Sequence, residues 1–258
     1  MKAIRSLGIM ALYASVCVAA AAGGADRDTV YQAAPIQSLS VGVYDGFITF
    51  ADLKKHGDTG LGTFNALDGE MVGVDGVFYQ VKNDGTVLKA QDSALTPFAV
   101  VTFFDEDLVL EPGGISGLAD LTAKIDARLP SKNLFYAVRV DGLFDYVKVR
   151  SVPAQEKPYV KLAEAVGRQS VFERSKIRGT VIGFRSPEFA EKINVPGYHF
   201  HFISAERDFG GHLLDLRSGA LKVRVDSSAA LTLIMPESGS YISAELGGDE
   251  HRDLKKIE

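Results

Sequence analysis

Cysteine is almost missing from this chain: its 258 residues contain one, Cys17. Cys17 lies in a stretch expected to be removed, so the mature protein has no thiol. That excludes a cysteine nucleophile, a thiolate metal ligand and a disulfide. Clusters of lysine and arginine are missing too. With 28 basic against 33 acidic residues the net charge is −5, and a mildly acidic chain without a basic patch is not expected to bind nucleic acid. No G-x-G-x-x-G or P-loop pattern occurs, so the common backbone cradles for nucleotide phosphates are absent. There is no low-complexity tract. Hydrophobic residues at 46% and charged residues at 24% are the proportions of a folded globular protein.

What is present begins with a leader. Lys2 and Arg5 precede the apolar run LGIMALYASVCVAAAA, and small residues at Ala20, Ala22 and Ala25 offer cleavage positions. This is the pattern of a secretory signal peptide over residues 1–25, and the run is too short and alanine-rich for a permanent membrane span. An exported protein, periplasmic or secreted, is therefore expected, with no stable membrane insertion of the mature chain. Loss of the leader leaves 26 basic and 33 acidic residues, a net charge of −7.

From about Met71 to Val152 short β-type runs alternate with turn signals. MVGVDGVFYQV predicts a hairpin at Asp75-Gly76, VKNDGTV a turn at Asp84-Gly85, and LFYAVRVDGLFDYVKVRSV a second hairpin at Asp141-Gly142. One helix is expected among them: Ser116 can cap it, Leu118, Leu121, Ile125 and Leu129 recur at helical spacing, and Pro130 ends it. SVPAQEKPY reads as a connector. Beyond it a helix is expected at about 159–173, then strands at GTVIGF, YHFHFIS, HLLDL, ALKVRV and YISAEL.

The strongest chemical signal is GYHFHFISAERDFGGHLLDL, residues 197–216, which places three of the chain's five histidines within fourteen positions. On a strand, positions i and i+2 share a face, so His199 and His201 present two imidazoles together while Phe200 and Phe202 point the other way. His212 follows after the turn-prone ERDFGG. A hairpin centred on Asp208-Phe209 does not bring His212 opposite either histidine, so a bulge at Gly210-Gly211 is expected to shift the register. Three neutral imidazoles suit Zn²⁺ and other late first-row divalent ions, and a three-histidine site leaves coordination positions open for substrate. His56 and His251 read as surface residues. The expected fold class is mixed α/β (α+β), in two domains over residues 26–156 and 157–258. Each is built on a mixed or mostly antiparallel sheet, with the metal site between them.

Three blocks together resemble a known family: GYHFHFISAERDFGGH, HGDTGLGTFNALDGEMVGVDGVFYQV and YAVRVDGLFDYVKVRSVPAQEKPY. In order and over nearly all of the mature chain, they are similar to α-acetolactate decarboxylase. The resemblance implies a zinc-dependent conversion of 2-acetolactate to acetoin and carbon dioxide by a two-domain, usually dimeric protein. It implies His199, His201 and His212 as metal ligands and Glu258 as a further one. It also implies catalytic roles for Glu70 of LDGE, Thr63 of GTF and Arg150 at the end of FDYVKVR. The chain departs from the family twice: SAERDFGGH stands where an acid-arginine pair is usual, so that Glu206-Arg207 or Asp208 would have to fill that place, and Glu258 is the last residue.

The chemistry asks for such groups. Decarboxylation of a β-keto acid leaves an electron pair that the neighbouring ketone must accept, forming an enediolate, and a chelated cation stabilises it without redox cofactor, thiamine or pyridoxal. A carboxylate substrate suits the planar fork of Arg150, and Glu70 could deliver the final proton, burial being the means of keeping a proton on its carboxyl. Taken alone, Glu70 and Arg150 read as surface charges. Two rival readings remain at this stage: a cupin-like metal-dependent oxygenase or isomerase using Glu206 as a ligand, and a non-catalytic exported metal-binding protein.

Overall fold

The computed structural model describes residues 27–237 and 239–250. The leader with Cys17, and the tail with His251 and Glu258, lie outside the described residues. In chain order the first ten strands are β1 (Thr29–Ala33), β2 (Ile48–Thr49), β3 (Thr59–Thr63), β4 (Glu70–Val74), β5 (Val77–Val81), β6 (Val87–Lys89), β7 (Leu95–Thr96), β8 (Ala99–Thr102), β9 (Leu108–Leu110) and β10 (Gly113–Ile115). Then come β11 (Phe135–Ser151), β12 (Ser170–Ser186), β13 (Gly197–Ser204), β14 (Gly210–Ser228) and β15 (Ala230–Ile234). The helices are short: α1 (Ile36–Ser40), α2 (Phe50–Leu53), α3 (Leu118–Asp126), α4 (Leu162–Val166) and α5 (Ser240–Ser243). No helix among the described residues is long and apolar enough to cross a membrane.

The strands form two main sheets, giving the mixed α+β class expected. The first runs β15-β1-β8-β3-β4-β5-β6, with β1 and β15 parallel and the other neighbours antiparallel. The second runs β10-β14-β11-β12-β13, and β14 returns to pair with β13, so β11, β12, β13 and β14 close into a ring of pairings. Strands from both sides of residue 156 enter each sheet: β15 joins the first, and β9, β10 and β11 join the second.

Local signals explain several elements. Asp75 and Gly76 both take positive φ, 52° and 76°, the geometry that matches a two-residue turn to strand twist, and β4 pairs with β5 across it. Leu121 and Ile125 of α3 are fully buried, as their spacing predicts, although Gly117 occupies the cap position. Ser116 instead donates its backbone N–H and hydroxyl to Asp120, and Asp215 of β14 accepts from the Leu118 N–H.

Four expectations change. Asp141-Gly142 makes no hairpin; it lies within the continuous β11, paired on one edge with β12 and on the other with β14. Here a Cβ on Gly142 would lie 2.6 Å from the Leu221 side chain, so the glycine serves a close approach between strands. The helix expected at 159–173 is only α4, because Val171 and Phe172 pair with Arg150 and Val149 of β11 instead. HLLDL and ALKVRV fuse into the single strand β14. YISAEL contains the helical turn α5, its alternation finding no partner strand among the described residues.

The closed ring encloses one core, in which Phe144, Phe200, Phe202, Phe209 and Leu213 meet. The opposite face of β13 turns to the first sheet: Ile203 packs with Val72 and Val74 of β4, with Val81 and with Ile182. Alternation then carries Glu70 of β4, and His201 and His199 of β13, along the same facing surfaces. The active-site candidates therefore stand where the apolar contact between the sheets gives way to polar side chains.

Asp226, near the end of β14, is buried and accepts from the Asp105 N–H. Burial pushes its carboxyl up to about 7, with the charges of Asp107, Asp28 and Asp105 adding to the rise. A raised native-state pKa means that the fold holds this proton more tightly than the unfolded chain does. Its contribution to stability is present in acid and is lost as pH rises from the ordinary carboxylate range through about 7. Asp226→Asn should raise the thermal midpoint at pH 8 and flatten the decline between pH 4 and 7. Unfolding scans of both proteins across that range check it, and an unchanged slope would remove Asp226 as its source.

Candidate active site

Strand register assembles the polar cluster. In the β13–β14 hairpin His201 stands directly opposite His212, while Phe202 faces Gly211 and Ile203 faces Gly210. This hairpin is centred between Glu206 and Arg207, so no bulge at Gly210-Gly211 is needed to align the histidines. The register does shift, but on the other edge of β14, where Lys148 pairs with Asp215 and Val149 with Leu213. With Leu214 passed over in this way, Arg150 of β11 comes opposite His212. Arg150, His212 and His201 thus form a row across three strands, and His199 lies two residues along from His201 on the same face.

The first sheet supplies the other side. Glu70 begins β4, opposite Thr63 at the end of β3. The Glu70 carboxylate lies 3.5 Å from His201 Nε2 through one oxygen and 3.7 Å from Arg150 Nη1 through the other. The Thr63 hydroxyl donates to the Gly69 carbonyl at 2.6 Å, tying the turn before Glu70 to β3. All six side chains are buried. They line a small cavity of about 40 Å³, whose other wall is apolar.

The donor set fits a metal ion. One ligand nitrogen from each of His199, His201 and His212 lies within 4.8 Å of the others, and the Nε2 atoms of His199 and His201 are 3.1 Å apart. The His201 Nδ1–H donates to the Met71 carbonyl at 2.7 Å, which leaves the Nε2 lone pair facing the cluster. Burial first, then the Arg150 charge, lowers the His199 pKa to about 3. Burial also holds His201 and His212 well below the usual range, followed by the influence of His199 on His201 and of the Arg150 charge on His212. All three imidazoles are therefore neutral at physiological pH, the state in which imidazole ligates metal.

Other candidates lie elsewhere. Glu206 is exposed in the hairpin turn, beside a separate groove lined by Arg174 and Lys176, so the ligand required by a cupin-like site is not at the cluster. Asp208 accepts from Ser204 Oγ and pairs with Arg174, and Arg207 donates to the Ser204 carbonyl; these charges fasten the turn. His56 is exposed and stacked on Tyr31, as a surface residue. The apolar wall, with Ile36 and Leu39 of α1, Leu67, and Leu162 and Val166 of α4, was missed by reading the sequence. Its one local signal is Leu67 in NALDG, a single large apolar residue within a turn between two strands.

The family model of alpha-acetolactate decarboxylase matches residues 30–248. An alpha-acetolactate decarboxylase from Methanosarcina mazei is 48% identical over 231 residues, covering 90% of this chain and 80% of the relative. One from Bacillus subtilis is 40% identical over 89% of this chain and 90% of its own length. The crystal structure of acetolactate decarboxylase from Bacillus subtilis subspecies spizizenii superposes with a TM-score of 0.87 at 41% identity, covering 89% of this chain and all of that one.

Proposed function

The chain belongs to the alpha-acetolactate decarboxylase family, a family of carboxy-lyases, and from that premise we propose that it converts 2-acetolactate to acetoin and carbon dioxide at the three-histidine site. The observation that carries this reading is a buried neutral ligand set facing a carboxylate and a guanidinium across one small cavity. His199, His201 and His212 would hold a zinc ion, with Glu258 as a further ligand. The ion, when bound, supplies Lewis-acid stabilisation of the enediolate charge.

The remaining work falls to the chain's own side chains. Arg150 takes the substrate carboxylate in a bidentate pair and orients it. As carbon dioxide leaves, the electron pair of the broken bond passes into the neighbouring carbon–oxygen system. Glu70, in its protonated carboxylic acid form, then delivers that proton to the carbon that carried the carboxylate, the ketone re-forms, and the Glu70 carboxylate regains a proton from water before the next turnover. Thr63 holds the Glu70 turn in place through the Gly69 carbonyl. We further propose that the protein is exported after removal of residues 1–25 and works as a homodimer.

The purified protein incubated with acetolactate should release acetoin and carbon dioxide in equal amounts, lose that activity to a chelator and regain it with zinc. Oxygen uptake in place of carbon dioxide release would sink the decarboxylase reading. Arg150→Lys keeps the charge but loses the fork. It should lower kcat/KM by roughly 10- to 100-fold with metal content unchanged, and wild-type kinetics would leave Arg150 without a part in binding.

A further inference from the structure

The polar groups of the cavity account for the carboxylate, hydroxyl and ketone of the proposed substrate. They do not account for its alkyl substituents, which must face the apolar wall. Leu67 stands out in that wall. It is buried, packs in the same core cluster as Ile36, Leu39, Phe98 and Leu162, and lines the cavity three residues before Glu70. Its backbone is left-handed, with φ 57°, directly after Ala66 at φ 60°. That region is costly for a branched side chain, and two such residues in succession persist only where their surroundings impose them.

The surroundings are visible. The Ala66 N–H donates to the Tyr44 carbonyl and the Ala66 carbonyl accepts from Gln155, both at 2.8 Å. The Gly69 N–H donates to Val152 at 3.1 Å, and Thr63 closes on the Gly69 carbonyl. The turn is thus fastened to β3, which carries Thr63, and to the segment that directly follows β11, the strand of Arg150. The Leu67 side chain is consequently fixed relative to Thr63, Glu70 and Arg150, whereas α1 and α4 enter from separate segments.

We infer that Leu67 is a specificity-determining residue, which limits the size of the alkyl group on the substrate carbon that loses the carboxylate. The inference rests on the acetolactate reading of this site. Glycine would occupy a left-handed position without steric strain, whereas this chain places an isobutyl group there, against the cavity.

The test compares wild type, Leu67→Ala and Leu67→Gly, the glycine variant being suited to the left-handed backbone should the alanine variant fail to fold. Each is given acetolactate and its homologue with ethyl in place of methyl at that carbon, and kcat/KM is measured for both. Dissociation constants are measured by calorimetry for the two corresponding dihydroxy acids, whose reduced ketone prevents decarboxylation. The ethyl-to-methyl preference should rise about tenfold or more in both measurements, with metal content unchanged. A preference within about twofold of wild type in a folded variant overturns the inference, whichever substrate is turned over. Should wild type release no carbon dioxide while the binding preference still shifts, the decarboxylase reading fails and size selection by Leu67 stands.

Discussion

His201→Ala should remove bound metal and with it nearly all activity, a loss of at least about 10³-fold, because two imidazoles cannot hold a divalent ion in an open catalytic geometry. Among the three histidines, this one is the most consequential. Its Nε2 lies 3.1 Å from that of His199, it pairs directly opposite His212, and it approaches Glu70. Its Nδ1–H also satisfies the Met71 carbonyl of the first sheet. Truncation therefore has a second consequence: the bond from β13 to the Met71 carbonyl is lost, which costs about 1 kcal/mol of stability even in the metal-free protein. Elemental analysis, acetoin assay and thermal unfolding with and without chelator separate the two effects. Full metal occupancy and full turnover in the variant would end the three-histidine reading.

Glu70→Gln should leave the metal in place and lower kcat by roughly 10²- to 10⁴-fold, the range over which a positioned general acid acts. The replacement preserves volume at a buried position, so a change in packing does not account for the loss. The readout specific to proton delivery is stereochemical. If Glu70 protonates one face of the enediolate, acetoin from wild type is enriched in one hand, and acetoin from the variant approaches the racemate as water takes over. Retained turnover and retained enrichment would assign the proton to another group.

Some of this site was legible before folding was considered. The period of a strand is two, so His199 and His201 had to share a face and Phe200 and Phe202 the other, whatever the strand paired with. The turn at Asp75-Gly76 and the buried stripe of α3 are likewise properties of a few neighbouring residues. Composition confined the chain's only thiol to Cys17 in the expected leader, and the resemblance of three long blocks supplied Glu70, Thr63 and Arg150.

Other features depended on pairing between distant segments, which local propensity does not encode. Asp141-Gly142 carries the same two letters as the real hairpin at Asp75-Gly76, yet β12 and β14 flank it and hold the chain extended. His212 meets His201 because the hairpin is centred between Glu206 and Arg207, and Arg150 meets His212 because β14 passes over Leu214 in its pairing with β11. Glu70 reaches this row only through the packing of β4 on β13, and Leu67 reaches the cavity only through a turn fastened by residues from three other segments. The sequence by itself determined which residue types were available and which shared a strand face, since those follow from covalent geometry. Their convergence at one buried point was decided by the tertiary structure, because register and sheet packing are set by long-range contacts formed only in the folded chain.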